Sequence, residues 1–103
     1  MYSKVNTVLV YNELDPVLNT PVRLAIVSAL IKLKKADFNY LRKITQTTQG
    51  NLSHQLKKLN EAEYIHIEKT FKGSYPHTLV ELTTRGRKAF EKYVTDIKKY
   101  LHL

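Results

Sequence analysis

The chain has no cysteine and few of the residues that interrupt regular structure. Its 103 residues include three glycines and three prolines. Without cysteine the protein cannot form disulfides, use a thiol in catalysis or bind a metal through thiolates. No apolar run approaches the roughly 20 residues of a membrane-spanning helix, and the N-terminus lacks the apolar core and cleavage site of a signal peptide. We therefore expect a cytoplasmic protein.

Acidic residues are also scarce relative to basic ones. Nine Asp and Glu stand against seventeen Lys and Arg, which gives a formal net charge of +8. Hydrophobic residues make up 43% of the chain, as is typical of a folded protein, and the length suits one domain, residues 1–103, with a single core. The charge favours a polyanionic partner, either nucleic acid or an anionic membrane surface.

The most informative stretch is residues 47–63. Leu52, Leu56 and Leu59 recur at helical spacing, so they form one core-facing stripe. Thr48 is placed to cap the helix. The remaining faces carry Gln49, Asn51, Ser53, His54, Lys57 and Lys58. Such amide, hydroxyl and imidazole groups can meet base edges in the major groove while lysines meet phosphates, although many amphipathic helices bind no DNA.

The preceding residues predict further helices. Residues 1–12 suit either a helix or a strand, with a slight preference for a helix. Asp15 before Pro16 predicts a short helix to about residue 19, and Thr20 before Pro21 predicts a buried helix over residues 21–34. The inward positions of this longer helix are Val22, Ile26, Val27, Leu30, Ile31 and Leu33.

A second short helix is predicted over residues 39–45, with Asn39 as a possible cap and Asp37 also interpreted as a cap. Only Gln46 and Thr47 separate it from the helix that begins near Thr48. Two helices joined by so short a turn cross steeply, which is the helix-turn-helix geometry.

After Glu63 the hydrophobic period changes to two. Ile65, Ile67 and Phe71 then share the buried face of a strand, residues 72–76 form a turn in which Gly73 takes a positive φ, and residues 77–82 form a second strand. The tip of this hairpin carries Lys69, Lys72, Ser74, Tyr75 and His77, which are suited to the phosphate backbone or the minor groove.

A last helix is predicted over residues 84–101, capped by Thr83 or Thr84. Its apolar stripe, which includes Ala89, is wider than a terminal helix needs to cover a small domain, so we expect a two-fold dimer through this helix. The alternative is that the stripe packs only on the core of its own chain. The expected interface residues are Phe90, Tyr93, Val94, Ile97, Tyr100 and Leu101.

In this order of elements the chain resembles winged-helix transcription regulators of the MarR and ArsR kind, and more closely a small single-domain bacterial and archaeal group of them. The stretches that carry the resemblance are LDPVLNTPVRLAIVSAL (residues 14–30), GNLSHQLKKLNEAEYI (50–65), EKTFKGSYPHTLVELT (68–83) and TRGRKAFEKY (84–93). The resemblance implies a dimeric, sequence-specific DNA-binding repressor or activator. Such proteins usually have an apolar residue where Thr47 stands and a glycine where Glu63 stands. We therefore expect either a longer helix or an unusual helix end at Glu63, and a looser turn at Thr47.

Other kinds of chemistry find less support. Ser53 and His54 are adjacent and point about 100° apart on a helix, which is wrong for a nucleophile and its base. Glu61 and Glu63 are two residues apart and also diverge on a helix, so they do not form an acid/base pair. The histidines show no close ligand spacing, although a hairpin could bring His66 and His77 near each other, and a structural or phosphate-facing role is favoured over metal binding. No phosphate-binding glycine loop or nucleotide motif is present. We expect no enzymatic activity, no cofactor and no metal.

The sequence therefore predicts an α+β fold, mainly α: a winged helix-turn-helix with a helix-turn-helix at residues 39–62, a β-hairpin wing at 64–82 and a long C-terminal dimerisation helix at 84–101. Its expected partners are double-stranded DNA and a second copy of the chain, and no membrane. The rival functions are a protein-contact module or a non-specific architectural DNA binder. The operator, the sign of regulation and any effector stay open. The predicted DNA-binding residues are Thr48, Gln49, Gly50, Asn51, Ser53, His54, Lys57, Lys58, Lys69, Lys72, Gly73, Ser74 and Tyr75.

Overall fold

The computed structural model describes residues 14–103 and has the predicted α+β architecture, with a helical body and an antiparallel sheet. The interpretation of residues 1–12 lies outside this range. The described elements are α1 (Pro21–Leu33), β1 (Lys35–Asp37), α2 (Phe38–Thr45), α3 (Gln49–Glu61), β2 (Ile65–Lys72), β3 (Tyr75–Leu82) and α4 (Thr84–Tyr100). Among these residues, no helix has the length and apolarity that a membrane span requires.

The segment before α1 is a turn, so the predicted short helix after Asp15 is wrong. The Asp15 carboxylate accepts a hydrogen bond from the backbone N–H of Val17 at 2.8 Å, and the Asp15 carbonyl accepts one from Asn19 at 2.9 Å. The turn cannot continue as a helix, because Pro21 disfavours the helical region for the residue before it. Thr20 accordingly has an extended backbone, and α1 begins at Pro21.

Helix α1 lies at the centre of the body, where it contacts the other three helices and the sheet. Ile26, Val27 and Leu30 are fully buried on it, as their spacing predicted. Leu33 was also predicted to be buried, but it is 47% exposed. The helix ends there, because Lys34 takes a positive φ of 67° and turns the chain into β1.

Strand β1 was not predicted. It pairs antiparallel with β3, placing Ala36 opposite Val80, and the sheet order is β1-β3-β2. Three residues are too few to show an alternating pattern, so the sequence indicated only that α1 had ended. Asp37 then caps α2 by accepting from the backbone N–H of Tyr40 at 2.7 Å. Asn39 is therefore inside the helix and is not its cap.

The helix-turn-helix prediction is confirmed in α2 and α3. The turn between them contains Gln46 in the left-handed conformation (φ 53°), and Thr48 caps α3 by accepting from the N–H of Asn51 at 3.1 Å. The hydroxyl groups of Thr45 and Thr47 lie 3.0 Å apart and share a hydrogen bond. That bond lets a polar residue occupy the half-buried position of Thr47.

Strands β2 and β3 form the hairpin, paired from Ile65 opposite Leu82 to Lys72 opposite Tyr75. The turn has only two residues between the strands, which is tighter than predicted, and Gly73 has the predicted positive φ at 65°. Phe71 was predicted to be buried but is 70% exposed. An alternating pattern identifies the face of a residue, but here the hairpin extends past the helices that would cover it.

Thr83 joins the end of α3 to the start of α4. Its hydroxyl accepts from the N–H of Gly86 at 2.9 Å, which caps α4 as predicted, and donates to the carbonyl of Glu63 at 2.7 Å. Glu63 itself takes a positive φ of 63°. Glu63 therefore keeps the left-handed helix end that glycine usually provides, and α3 is not lengthened.

The core gathers residues from every element except the wing tip. Its fully buried side chains are Leu18, Ile26, Val27, Leu30, Leu41, Leu52, Leu59 and Val80. Two tyrosines tie the turn before α1 to the rest of the fold. Tyr93 donates to the amide oxygen of Asn19 at 2.9 Å, and Tyr64 donates to the carboxylate of Asp15 at 2.5 Å. Desolvation by burial, together with the hydrogen bond to Asp15, raises the pKa of Tyr64 to about 12.

Candidate nucleic-acid interface

Helix α3 is fixed to the core by one face and exposed on the others. Leu52 and Leu59 are fully buried and Leu56 nearly so, which sets the rotation of the helix about its axis. All the predicted DNA-contacting residues on α3 are exposed. They are Gln49, Gly50, Asn51, Ser53, His54, Lys57 and Lys58. The helix thus presents polar groups near its N-terminal end and two lysines one to two turns later.

The N-terminal end of α3 is open to an approaching anion. The first N–H groups of a helix have no acceptor within the helix, so those of Gln49 and Gly50 can donate to a phosphate. Gly50 has no heavy atom within 4 Å of where a side chain would begin. Thr48 remains exposed although it caps the helix. This end of α3 therefore combines exposed polar side chains with free backbone donors.

Two residues behind this face were missed by the sequence analysis. Arg23 donates through Nη1 to Oε1 of Gln55 at 2.6 Å, and Gln55 donates through Nε2 to Oδ1 of Asn51 at 3.1 Å. The Nε of Arg23 donates to the carbonyl of Val17 at 2.6 Å. The spacing of Asn51 and Gln55, four residues apart on a helix, could have indicated their contact. The role of Arg23, which lies on α1, could not be found that way.

The wing presents a basic and aromatic tip. Lys69, Lys72, Gly73, Ser74 and Tyr75, all predicted DNA contacts, are exposed. Tyr75 is 77% exposed, and Phe71 is nearly as exposed. Sequence reasoning missed Phe71 as a surface residue because its place in the alternating pattern assigned it to the core.

A cleft of about 450 Å³ separates the wing from the helix-turn-helix. Arg42 on α2, Lys69 on β2 and His77 on β3 line it, and Gln49 and Ser53 of α3 form part of its opposite wall. Arg42 was not among the predicted contacts, since its position on α2 gave no sign that it would face the wing. The one carboxylate in the lining, that of Asp37, accepts the capping bond at the start of α2. The cleft is therefore positive on balance.

His66 and His77 do not meet across the hairpin, although the sequence left that arrangement open. His66 lies opposite Glu81 and His77 lies opposite Thr70, so the two histidines are four pairs apart, or roughly 13 Å along the strands. Within residues 14–103, no group of three or more His, Asp or Glu side chains is arranged to hold a metal ion.

The predicted dimer residues on α4 differ in their exposure. Tyr93 is buried in its own chain and is 6% exposed, so it offers little surface to a second copy. Leu101 is 55% exposed. The remaining four are half-buried, namely Phe90, Val94, Ile97 and Tyr100. Part of the stripe thus packs on the chain's own core, and part is left at the surface.

Comparison with known proteins gives one family match and several relatives. A family model described as a winged helix DNA-binding domain matches residues 22–101. An uncharacterized protein of Methanocaldococcus jannaschii is 36% identical over 81 residues, which are 79% of this chain and 88% of that protein. The structure of a transcriptional regulator homologue from Pyrococcus horikoshii OT3 has a TM-score of 0.77 and 28% identity, covering 84% of this chain and 85% of that one. NadR, solved in complex with 4-hydroxyphenylacetate, shares the fold at a TM-score of 0.67 and 18% identity, covering 98% of this chain and 78% of that one.

Proposed function

Because the chain belongs to the winged helix DNA-binding domain family and is a DNA-binding transcriptional regulator, we propose that it binds a specific sequence of double-stranded DNA as a homodimer. The observation that carries this proposal is the exposed face of α3, which combines Gln49, Asn51, Ser53 and His54 with Lys57 and Lys58. The first four residues read base edges in the major groove. The two lysines and Thr48 bind phosphates.

The wing extends this contact to the backbone. Lys72, Ser74 and Tyr75 at its tip contact phosphates or the minor groove beside α3. The DNA backbone between the α3 contact and the wing contact passes the cleft that Arg42, Lys69 and His77 line. Three basic side chains from three different elements at one cleft favour a polyanion over an uncharged ligand.

The dimer forms through the outer part of α4. The exposed Leu101 and the half-buried Val94 and Tyr100 lie near the C-terminal end of this helix, where a second copy can cover them. A two-fold dimer would present two copies of α3 to a palindromic site. We propose no catalytic activity. The resemblance to bacterial and archaeal regulators, whose DNA lies in the cytoplasm, favours a cytoplasmic location.

Substitution of single lysines tests this assignment of the binding face. Lys57→Ala is expected to weaken binding to all duplex sequences and to reduce the slope of log affinity against log salt by about 1, because one phosphate contact is lost. Lys32→Ala is the matched control, since Lys32 is an exposed lysine in the last turn of α1 and lies outside the proposed face. Fluorescence anisotropy across a salt series measures both variants. Equal slopes for the two would contradict the placement of DNA on α3.

One observation favours a second candidate function, contact with another protein. Phe71 and Tyr75 are strongly exposed aromatic side chains at the wing tip, and aromatic residues are enriched in protein interfaces. If this were the main function, the protein would not bind duplex DNA even at low salt. Salt-sensitive binding without any preferred sequence would instead indicate an architectural role.

A further inference from the structure

The hydrogen bonds from Arg23 through Gln55 to Asn51 have a direction that the chemistry of the groups determines. A guanidinium group only donates, so Gln55 must turn its amide oxygen toward Arg23, and that contact is 2.6 Å long. The amide nitrogen of Gln55 is then the atom that faces Asn51. Since that nitrogen only donates, Asn51 must turn its own oxygen, Oδ1, toward Gln55, at 3.1 Å.

Arg23 is held firmly enough to impose this direction. Its Nε donates to the backbone carbonyl of Val17 at 2.6 Å, which holds the guanidinium group by a second hydrogen bond besides the one to Gln55. Both Arg23 and Gln55 are half-buried, whereas Asn51 is exposed. Short hydrogen bonds from a charged donor are stronger than those between neutral groups. Arg23 therefore sets the orientation of the Gln55 amide, and Gln55 in turn sets the orientation of the Asn51 amide at the surface of α3.

From this we propose that Arg23, acting through Gln55, sets the amide of Asn51 so that its NH₂ group faces the DNA, and that Asn51 consequently selects guanine over cytosine. The proposal rests on the proposed function, in which Asn51 reads a base in the major groove. Guanine presents two acceptors there, N7 and O6, while cytosine presents the N4–H₂ donor. An outward NH₂ group donates to guanine and meets another donor at cytosine. Arg23 and Gln55 are positioning residues in this scheme and touch no base.

The test begins by locating the base that Asn51 reads. Wild-type protein and Asn51→Ala are each used to select binding duplexes from a random pool, and the retained duplexes are sequenced. The position whose preference is lost in Asn51→Ala is the one that Asn51 contacts. In the wild type we expect guanine to exceed cytosine at that position by about tenfold in affinity.

Gln55→Glu then reverses the direction of the hydrogen bond between the side chains of residues 55 and 51, while preserving the shape of the side chain at position 55. A carboxylate still accepts from Arg23, but it has no N–H to donate to Asn51, so Asn51 must turn its NH₂ group inward and its oxygen outward. The preference at that position is expected to shift from guanine to cytosine. The added negative charge lowers affinity for every duplex equally, so the ratio between the two bases is the quantity to compare.

Arg23→Met leaves the amides of Gln55 and Asn51 free to turn, and the preference at that one position is expected to fall toward unity. Arg85→Met is the matched control, because Arg85 pairs with Glu63 and is outside this series. A purely structural role for Arg23 would lower affinity for all bases in the same proportion and leave the ratio unchanged.

The outcomes separate this inference from the proposed function. If the wild type selects no sequence, the proposed function is wrong and the inference falls with it. If it selects a sequence but Asn51→Ala changes no position, or Gln55→Glu keeps the wild-type preference for guanine, only the inference is overturned. Reversal in Gln55→Glu together with loss in Arg23→Met supports it.

Discussion

Glu63 occupies a backbone conformation that usually belongs to glycine. The N–H of Tyr64 donates to the carbonyl of Leu59 at 3.0 Å, and the N–H of Glu63 donates to that of Asn60 at 2.9 Å. These two bonds form a Schellman motif, whose C′ residue is left-handed and most often glycine. A side chain at this φ of 63° costs free energy. The ion pair of Glu63 with Arg85 at 3.1 Å is exposed, so it offsets little of that cost.

Glu63→Gly is therefore expected to stabilise the protein, by about 0.5–1 kcal/mol in the free energy of unfolding. Urea denaturation followed by circular dichroism measures the change. Glu63→Ala is the matched control, because it also removes the ion pair with Arg85 but keeps a Cβ in the left-handed conformation. The explanation by backbone strain would be wrong if the glycine variant were no more stable than the alanine variant.

Tyr64 makes stability depend on pH in the alkaline range. Burial and the hydrogen bond to Asp15 raise its pKa from 10.0 to about 12 in the folded protein. An acid whose folded pKa lies above its unfolded pKa stabilises the fold fully below the unfolded value, and that stabilisation is lost as pH rises through the folded value. The window is thus pH 10 to 12.

In this window Tyr64→Phe is expected to lose stability less steeply than the wild type, since phenylalanine has no proton to release. Below pH 10 the variant is expected to be less stable, because the bond to Asp15 is missing. Denaturant midpoints measured at several pH values from 8 to about 12 compare the two proteins, and the shared loss from lysine titration cancels in the difference. If the denaturant midpoints of the two proteins fell in parallel from pH 10 to 12, Tyr64 would be excluded as the source of this pH dependence.

At the scale of elements, α4 and the base of the wing meet at Gly86. A Cβ built on this residue would overlap the backbone carbonyl of Tyr64 and crowd the side chain of Leu82. Because the nearest atoms belong to the backbone, they cannot move aside as a flexible side chain would. The close approach of α4 to Tyr64 and Leu82 at the base of the wing therefore requires glycine at this position for reasons of space.

Gly86→Ala is expected to lower the free energy of unfolding by at least about 2 kcal/mol. Gly50→Ala is the matched control, since Gly50 also lies in a helix but has open space around it. That variant is expected to gain about 0.5–1 kcal/mol, because alanine favours a helix over glycine. Thermal unfolding followed by circular dichroism measures both. Equal effects at the two glycines would contradict the packing argument.

The elements that the sequence predicted well have strong local signals. Helix α3 was predicted from its leucine period and its cap at Thr48, and both are confirmed. Strand β1 was missed because three residues show no period and its pairing partner lies in β3, far along the chain. Phe71 was misplaced for a related reason, since whether a strand face is covered depends on elements elsewhere in the fold. The hydrogen bonds that connect Arg23 to Asn51 through Gln55 could not be predicted either, because they depend on how α1 packs on α3.

For the whole molecule, binding of a palindromic site requires two copies of α3 on one duplex. Leu101→Arg is expected to weaken self-association, since it would place a charge in the proposed interface at the end of α4. Leu33→Arg is the matched control, because Leu33 is similarly exposed but lies on α1. Sedimentation equilibrium over a range of concentrations measures both variants. A wild-type protein that stays monomeric throughout would contradict dimerisation.

The basic residues of the whole molecule fall into two groups on different elements. Lys57, Lys58, Lys69 and Lys72 lie on α3 and the wing, while a second group of basic residues lies along α4. The members of that second group are Arg85, Arg87, Lys88, Lys92, Lys98 and Lys99. Lys92 pairs with the buried carboxylate of Asp96 at 2.6 Å, and Arg85 pairs with Glu63 at 3.1 Å, so two of these charges have partners within the fold. Under the proposed function the basic residues of α3 and the wing face the DNA, and those of α4 lie outside the proposed face.

Under the proposed function, this protein reads a specific duplex sequence with two copies of α3. The most direct test is selection of short duplexes from a random pool at rising salt, followed by sequencing of those retained above physiological ionic strength. We expect a palindrome whose half-sites are about one helical turn apart, roughly 34–36 Å. Absence of duplex binding even at low salt would contradict it.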